Sequence, residues 1–226
     1  LPSLHRGTEA EEKAARESLS RLPGEAISRT IATTVGRVEP AFRIELMEIL
    51  VARRATSVAA DLVRQVVSTR PEVRAAAMKA LSELAGADEI PGMVQGVLVA
   101  EEGRERDAAE KAVMRACRRI AADEDQAQPL LAAMGELNET DQVALLPALG
   151  RLGGTKALKV VETALADSDE TRHQAALRAL CNWPDASVAP QLIELAQTES
   201  RRGNRIASLR ALIRVAPLPD GRSDLD

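Results

Sequence analysis

Histidine and cysteine are the side chains best able to bind metals or act as nucleophiles, and this chain of 226 residues contains two of each. The histidines, His5 and His173, are far apart in the sequence, as are the cysteines, Cys117 and Cys181. A zinc site needs several such ligands at close spacing, and a catalytic nucleophile needs a base beside it. No such cluster is visible. We therefore expect no metal, no cofactor and no catalytic residue, and predict that the protein is not an enzyme.

Three basic residues are better candidates for binding than for catalysis. Lys79, Arg178 and Arg210 each stand two residues before a leucine that ends a similar nine-residue segment. Cations at equivalent positions of several repeats would attract an acidic ligand. We predict that they line a partner-binding surface for an acidic peptide or an acidic helix of a partner protein. The alternative is that they are solvated surface residues.

The elements that would position these residues are repeats. Residues 73–81 are similar to residues 172–180 and 204–212, and more distantly to four other segments. The last apolar residue of each segment serves as an anchor, and successive anchors are 31 to 35 residues apart. The anchors are Leu19, Leu50, Leu81, Met114, Leu149, Leu180 and Leu212. A period in this range is typical of stacked helical hairpins.

Positions at fixed distances from the anchors share a residue type. Five residues before the anchor the side chain is small, which lets two helices approach closely; the exception is Glu45. This set is Ala14, Glu45, Ala76, Ala109, Ala144, Ala175 and Ala207. Positions three residues before and three after the anchor are mostly apolar, which predicts one buried face. These sets are Arg16, Met47, Met78, Lys111, Leu146, Leu177 and Leu209, then Leu22, Arg53, Leu84, Cys117, Leu152, Trp183 and Val215.

A second apolar family lies between these helices and makes each repeat a helical pair. Its members are Ile31, Leu62, Val94, Leu131, Val161 and Leu192. We therefore predict an all-α fold of about six helical hairpins plus a leading helix. Five polar residues are predicted N-caps: Thr8, Thr56, Asp88, Thr155 and Asp185. Pro147 falls in the middle of a predicted helix, which indicates either a kink or a helix that begins late.

These segments resemble HEAT repeats. The similarity is strongest in PEVRAAA (residues 71–77), with an acidic start, a Val-Arg pair and small residues, and DETRHQAAL (169–177) is similar to it. The resemblance covers residues 8 to 216 and implies a right-handed α-α superhelix whose second helices line the inner surface. The basic residues Lys79, Arg178 and Arg210 would lie on that surface. The HEAT motif specifies packing rather than chemistry.

The repeat positions also assign structural roles to the less common residues. Cys117 and Trp183 occupy the position three residues after the anchor, so we expect both to be buried, and a binding role for Trp183 is the alternative. His173 stands where sister repeats carry arginine, which predicts a partly exposed helix residue. His5 is expected in an unstructured terminus. Cys181 lies two repeats from Cys117, too far for a disulfide.

Composition limits the possible partners. The chain is 45% hydrophobic, but its aromatic residues are only Phe42 and Trp183, and it has no tyrosine. The core should therefore be aliphatic. With 34 acidic and 30 basic residues the net charge is −4, which argues against a dedicated nucleic-acid or anionic membrane surface. The chain has no run of about 18 apolar residues, so we predict no transmembrane helix. We predict a protein or peptide partner; the sequence specifies no oligomeric state.

The predicted organisation is a flexible lead at residues 1–7, a repeat array at 8–216 and a tail at 217–226. The chain opens without methionine and ends where another hairpin would begin, so we expect further repeats or domains in the parent protein. Nothing in the first residues resembles a secretory signal, and both a cytoplasmic and an exported location fit the sequence.

A protein-interaction scaffold or a spacer is the function that these features favour. The alternative is an accessory domain of an exported bacterial carbohydrate-processing or cytochrome-linked protein, because ALCNWPDA (residues 179–186) resembles HEAT segments of such proteins. Residues 71–85 and 170–180 are similar to phycobilin lyases of the HEAT-like type, in the way that most such arrays are. A HEAT-like DNA glycosylase would need a basic, aromatic-rich surface, which the composition disfavours.

Overall fold

The computed structural model describes residues 8–121 and 125–220, and this part of the chain is helical, with no β-strand. The predicted lead, residues 1–7 with His5, and residues 221–226 of the predicted tail lie outside the described residues. No helix within the described ranges combines the length and apolarity needed to cross a membrane.

A leading helix is followed by six helical pairs in the described residues, which confirms the predicted all-α hairpin architecture. The helices are α1 (Glu9–Arg21), α2 (Glu25–Val35), α3 (Pro40–Ala52), α4 (Ala59–Val63), α5 (Pro71–Leu84), α6 (Ile90–Val99), α7 (Arg104–Ile120), α8 (Gln128–Met134), α9 (Glu139–Leu152), α10 (Thr155–Leu165), α11 (Glu170–Cys181), α12 (Ala189–Thr198) and α13 (Arg202–Val215). The pairs are α2–α3, α4–α5, α6–α7, α8–α9, α10–α11 and α12–α13.

The chain forms two compact units, residues 1–116 and 117–226. In the first unit, the helices that carry the anchors stack on one another in the order α1, α3, α5, and α2 and α4 pack against them. In the second unit the corresponding order is α9, α11, α13, and α8, α10 and α12 form the other layer.

The core of each unit is mostly aliphatic, as the composition predicts, and each contains one buried aromatic residue among those described, Phe42 and Trp183. The anchors Leu50, Leu81, Leu149 and Leu180 are completely buried. Burial of one such side chain contributes roughly 1.5–3 kcal/mol relative to its exposure to water. Because every repeat places an anchor in the same position, this stabilisation recurs along the chain.

The predicted apolar face is partly exposed in the first repeat and in the last one. Leu209, three residues before the anchor in α13, is 47% exposed, whereas its counterparts Leu146 and Leu177 are each 3% exposed. Leu22 is 46% exposed. The prediction was therefore wrong for Leu22 and Leu209. For Leu209 the physical reason is that no later described helix covers this face of α13.

Three of the five predicted N-caps were also wrong. Thr8 and Asp185 accept backbone N–H groups of the first turn as predicted. Thr56 and Thr155 instead lie one residue inside their helical segments, after Ala55 and Gly154, and Asp88 lies within a turn in which Glu89 accepts the Gly86 N–H. The residues at the N-cap positions of these segments are Ala55, Gly154 and Gly86, which have no side-chain oxygen to accept a backbone N–H.

Helix α9 begins at Glu139 and continues through Pro147 to Leu152, so the prediction of a late helix start was wrong. Asn138 accepts the backbone N–H of Asp141 at 3.0 Å and caps the start of the helix eight residues before Pro147. Pro147 is therefore accommodated inside a capped helix, although it cannot donate a backbone hydrogen bond.

A close approach between α9 and α11 depends on a glycine. A Cβ atom at Gly150 would lie 2.5 Å from the carbonyl oxygen and 2.6 Å from the Cα of Ala179. The two backbones therefore meet at a distance that only glycine allows.

Arginines join neighbouring repeats by donating to helix-end carbonyls. Arg53, which directly follows α3, donates to the carbonyls of Leu19 (2.6 Å), Leu22 (2.5 Å) and Gly24 (3.0 Å). Arg214 of α13 donates to the carbonyl of Trp183 at 2.7 Å, and Arg118 donates to that of Arg151 at 2.9 Å. The last carbonyls of a helix have no partner within it, so these three capping arginines satisfy groups that would otherwise depend on water.

Candidate functional site

A groove of about 400 Å³ in the first unit is a candidate binding site. Its walls come from α5 and α7, and α6 contributes Gly96 and the adjoining Ala100. Arg74 pairs with Glu105 near the starts of α5 and α7, and Glu83 pairs with Arg115 further along both helices. The two helices therefore run parallel, and the groove follows their length.

The floor of the groove is apolar, and most of the side chains that form it are small. The lining includes Met78 and five alanines, which are Ala75, Ala100, Ala108, Ala109 and Ala112. A Cβ atom at Gly96 would lie 2.7 Å from the Met78 sulfur and 3.0 Å from the Val66 Cβ. Gly96 thus leaves room for Met78, whose flexible thioether can adapt to an apolar ligand.

The rim of the groove is basic. Lys79 and Lys111 are exposed, and among the described residues neither side chain has a hydrogen-bond or ion-pair partner. Arg115 pairs with Glu83, but the two side chains are 67% and 36% exposed. Such an exposed pair contributes at most about 1 kcal/mol and is easily exchanged for another anion. We refer to Lys79, Lys111 and Arg115 as the basic rim.

One end of the groove is closed by a buried ion pair. Arg74 donates to both carboxylate oxygens of Glu105, from Nε at 2.7 Å and from Nη2 at 2.9 Å, and to the Ser68 carbonyl from Nη1 at 2.9 Å. The hydrogen bond with Glu105 raises the pKa of Arg74, and the same bond lowers the pKa of Glu105. Both groups are therefore charged and mutually satisfied, which makes this pair a structural end wall.

The side chains that line the groove are suited to binding a ligand. The described residues contain no group of His, Cys, Asp or Glu side chains placed to hold a metal ion. The groove offers unpaired ammonium groups above an apolar floor, a combination that suits a ligand with both carboxylates and apolar side chains.

The structure places the three predicted binding residues in different units. Lys79 belongs to the groove of the first unit. Arg178 on α11 and Arg210 on α13 are exposed in the second unit, whose helices α11 and α13 pack against each other. The sequence did not predict Lys111 and Arg115 as binding residues. Lys111 stands three residues before its anchor, a position that is apolar in most repeats, so it was interpreted as an irregularity of the pattern.

The less common residues have structural positions. Trp183 is completely buried and donates from Nε1 to the Ser187 hydroxyl at 3.1 Å, which confirms the buried interpretation. Cys117 is buried as predicted, and burial raises the pKa of its thiol to about 12. A thiol with so high a pKa is a poor nucleophile at neutral pH.

His173 has a larger role than the partly exposed position predicted for it. Its Nδ1 lies 2.7 Å from the carbonyl oxygen of Leu165 at the end of α10, and its Nε2 lies 2.8 Å from Oε1 of Glu199, just after α12. Asn204 donates to the other Glu199 oxygen at 2.8 Å. Carbonyls and carboxylates only accept, so the ring satisfies both contacts when it is protonated on both nitrogens. His173 thus ties the ends of α10 and α12 to α11.

Burial alone would lower the pKa of His173, but the hydrogen bonds to Leu165 and Glu199 outweigh it, and the pKa lies above the usual 6.5. The His173 contribution to stability is therefore complete below pH 6.5 and is lost as the pH rises through the folded-state pKa. Burial raises the pKa of Glu199, but Asn204 and His173 outweigh this effect and lower it below 4.5, so its contribution is lost only in acid.

We expect the second unit to lose about 1 kcal/mol of unfolding free energy between pH 6 and pH 9, because His173 becomes neutral. Urea unfolding followed by Trp183 fluorescence measures this change. In His173→Gln the slope over this pH range should disappear. An unchanged slope in the variant would assign the pH dependence to another group.

Comparisons with known proteins show only a distant structural similarity to helical repeat proteins. No protein-family model matches the chain, and no characterised protein matches it in sequence. Among solved structures, the complex of CpcE and CpcF of phycocyanin lyase from Nostoc sp. PCC7120 is similar at 18% identity and a TM-score of 0.44, over 94% of this chain and 85% of that one.

Two designed armadillo repeat proteins are also similar. One, in complex with the peptide (KR)4, is 19% identical with a TM-score of 0.31, over 94% of this chain and 96% of that one. The other is 18% identical with a TM-score of 0.28, over 88% and 98%. These scores are low, and the assignment as an all-α array of helical hairpins rests on the helices themselves.

Proposed function

We propose that this chain is a non-enzymatic protein-interaction module of the HEAT-like type, and that the groove between α5 and α7 binds an acidic segment of a partner protein. The observation that carries the proposal is the basic rim, in which Lys79 and Lys111 are exposed and unpaired directly above an apolar floor.

The dimensions of the groove support a short ligand segment. Its two ion pairs involve residues 74 and 83 of α5, nine positions apart, which corresponds to roughly 14 Å along a helix. An extended peptide advances about 3.3 Å per residue, so about four residues fit between the pairs. In such a segment, side chains alternate between the two faces, and apolar and acidic residues in alternation would face the floor and the rim respectively.

The energetics favour a ligand that uses both surfaces. An exposed ion pair adds at most about 1 kcal/mol, so lysines alone give weak binding that salt screens. Burial of one leucine-sized side chain against Met78 and the neighbouring alanines adds roughly 1.5–3 kcal/mol. Acidic character provides orientation and selectivity, and the apolar floor provides most of the affinity.

The test uses a fluorescent peptide of alternating Glu and Leu, with a Lys-Leu peptide as the ligand of opposite charge. We expect the purified chain to bind the Glu-Leu peptide, and the variant Lys79→Glu, Lys111→Glu to bind it at least about tenfold more weakly, because two attractive contacts become repulsive. Fluorescence anisotropy at two salt concentrations measures both affinities.

The matched control is Lys156→Glu, Lys159→Glu on α10, which makes the same double charge change at two exposed lysines of the other unit. This control should leave the affinity within about twofold of the unchanged chain. Equal binding of both peptides, or equal loss in the control and in the rim variant, would argue for a spacer without a ligand groove.

Two finer elements of the sequence interpretation belong to the same proposal. Arg178 and Arg210 are proposed as further contacts for an acidic partner, and residues 8–216 as the extent of the array. An accessory role beside a catalytic domain is compatible with the groove, because such a role would use it to dock the neighbouring domain.

A further inference from the structure

Glu83 places a negative charge beside the basic rim. One of its carboxylate oxygens accepts from Nη2 of Arg115 at 2.5 Å, and both side chains reach the solvent. Lys79 and Lys111 have no such partner among the described residues. The chain therefore supplies its own anion to one of the three rim cations and leaves the other two to a ligand.

These four charged residues stand at two levels along the groove. Lys79 lies four residues before Glu83 on α5, and Lys111 lies four residues before Arg115 on α7, so each pair shares one side of its helix. The ion pairs that join α5 and α7 connect residues 31 and 32 positions apart, and the two lysines are also 32 positions apart. The lysines therefore form one level, the lysine level. Glu83 and Arg115 form the other, the ion-pair level, one helical turn away.

The separation of the two levels matches the spacing of alternate residues in an extended peptide. Four residues of a helix rise about 6 Å. Two residues of an extended chain advance about 6.6 Å, and their side chains point to the same face. A ligand with two acidic residues in alternate positions would thus place one carboxylate between Lys79 and Lys111. The other would reach Arg115, where Glu83 already lies.

The two levels differ in what a carboxylate of the ligand gains there. At the lysine level it lies between two cations that have no partner among the described residues, and both attract it. At the ion-pair level it must take Arg115 from Glu83, so that one exposed ion pair is exchanged for another of the same kind. The displaced Glu83 carboxylate stays close and repels the ligand. A second acidic residue therefore adds little affinity while Glu83 is charged.

We propose that Glu83 is a built-in competitor that limits the groove to one acidic contact, an inference that rests on the proposed function because it concerns the same groove. Glu83 is then a specificity-determining residue that acts through Arg115. Removal of its charge should open the ion-pair level to a second acidic residue of the ligand. Affinity for a ligand with a single acidic residue should change little.

The test is a double-mutant cycle between residue 83 and the ligand. The di-acidic peptide alternates leucine with two glutamates, and in the two mono-acidic peptides one or the other glutamate is replaced by glutamine. We expect the unchanged chain to bind all three with affinities within about twofold. Glu83→Gln should bind the di-acidic peptide about fivefold more tightly than the mono-acidic ones, the upper range for an exposed ion pair. Fluorescence anisotropy measures the affinities, and added salt should reduce the gain.

Two further variants show whether the gain depends on Arg115. Glu194→Gln on α12 is the matched control, because it removes one exposed negative charge in the other unit, and it should leave every affinity within about twofold. In an Arg115→Gln background, Glu83→Gln should no longer distinguish the peptides, because the cation for which the two carboxylates compete is gone. Circular dichroism checks that each variant folds.

The possible results separate this inference from the proposed function. An equal change for all three peptides in Glu83→Gln, or about fivefold tighter binding of the di-acidic peptide to the unchanged chain, would overturn the role of Glu83. The proposed function would still stand if Lys79→Glu, Lys111→Glu weakened binding. If none of the peptides bound to the unchanged chain or to Glu83→Gln, the proposed function and the role of Glu83 would both be overturned.

Discussion

Gly150→Ala is expected to destabilise the second unit by about 2 kcal/mol, even though alanine is the better helix former. The added Cβ would lie 2.5 Å from the carbonyl oxygen and 2.6 Å from the Cα of Ala179. Neither atom belongs to a flexible side chain, so α9 and α11 must move apart. Overpacking of this kind costs typically 1–3 kcal/mol and exceeds the gain of about 1 kcal/mol in helix propensity.

Gly203→Ala is the matched control for this prediction. Gly203 lies in the first turn of α13, where a Cβ would meet no atom within 4 Å. The same substitution should therefore stabilise the chain by about 0.4–1 kcal/mol through the unfolded state. Urea unfolding followed by Trp183 fluorescence measures both changes. Equal effects at the two glycines would show that α9 and α11 do not pack backbone against backbone.

Trp183→Ala is expected to cost the second unit about 3–5 kcal/mol, the range typical of a fully buried large aromatic residue. Trp183 is completely buried, and its indole N–H donates to Ser187. A Cβ at Gly153 would lie 2.6 Å from Cγ of Pro184, the residue that follows Trp183, so the surrounding turn is packed too closely to collapse into the cavity. Circular dichroism in urea measures the loss, since the variant has no tryptophan fluorescence.

Two further variants separate the ring from its hydrogen bond. Trp183→Phe keeps most of the apolar volume and should lose clearly less than Trp183→Ala. Ser187→Ala leaves the indole N–H unsatisfied and should cost about 1–3 kcal/mol. A loss below about 1 kcal/mol in Trp183→Ala would contradict the buried role and make Trp183 a candidate ligand contact again.

The sequence predicts the packing of this fold well because a repeat presents each position several times. Leu50, Leu81, Leu149 and Leu180 are recognisable as one position from the period alone, and all four are completely buried. The period specifies the number of hairpins for the same reason. Exposure of Leu209 is not predictable in this way, because the column does not indicate that no later helix among the described residues covers this face of α13.

The candidate site was harder to predict because it depends on residues that break the pattern. Lys79 is visible as part of a basic column, but Lys111 occupies a position that is apolar in most repeats. The two line one groove only because α5 and α7 both contribute to its walls. His173 and Glu199 are 26 residues apart and come together through a turn that the repeat pattern does not specify. Arg53 similarly appeared as an irregularity in an apolar column.

The capping role of Arg53 has a consequence for the order in which the chain folds. Its guanidinium donates to the carbonyls of Leu19, Leu22 and Gly24, which end α1 and begin the following turn. During synthesis these carbonyls are made about thirty residues before Arg53. The last turn of α1 therefore lacks these hydrogen bonds until the chain beyond α3 has been made and α3 packs against α1. The end of α1 is thus completed by the repeat that follows it, and part of the free energy gained when that repeat forms stabilises α1. Amide exchange at the end of α1 should accordingly follow the opening of α3 rather than fraying of α1 alone.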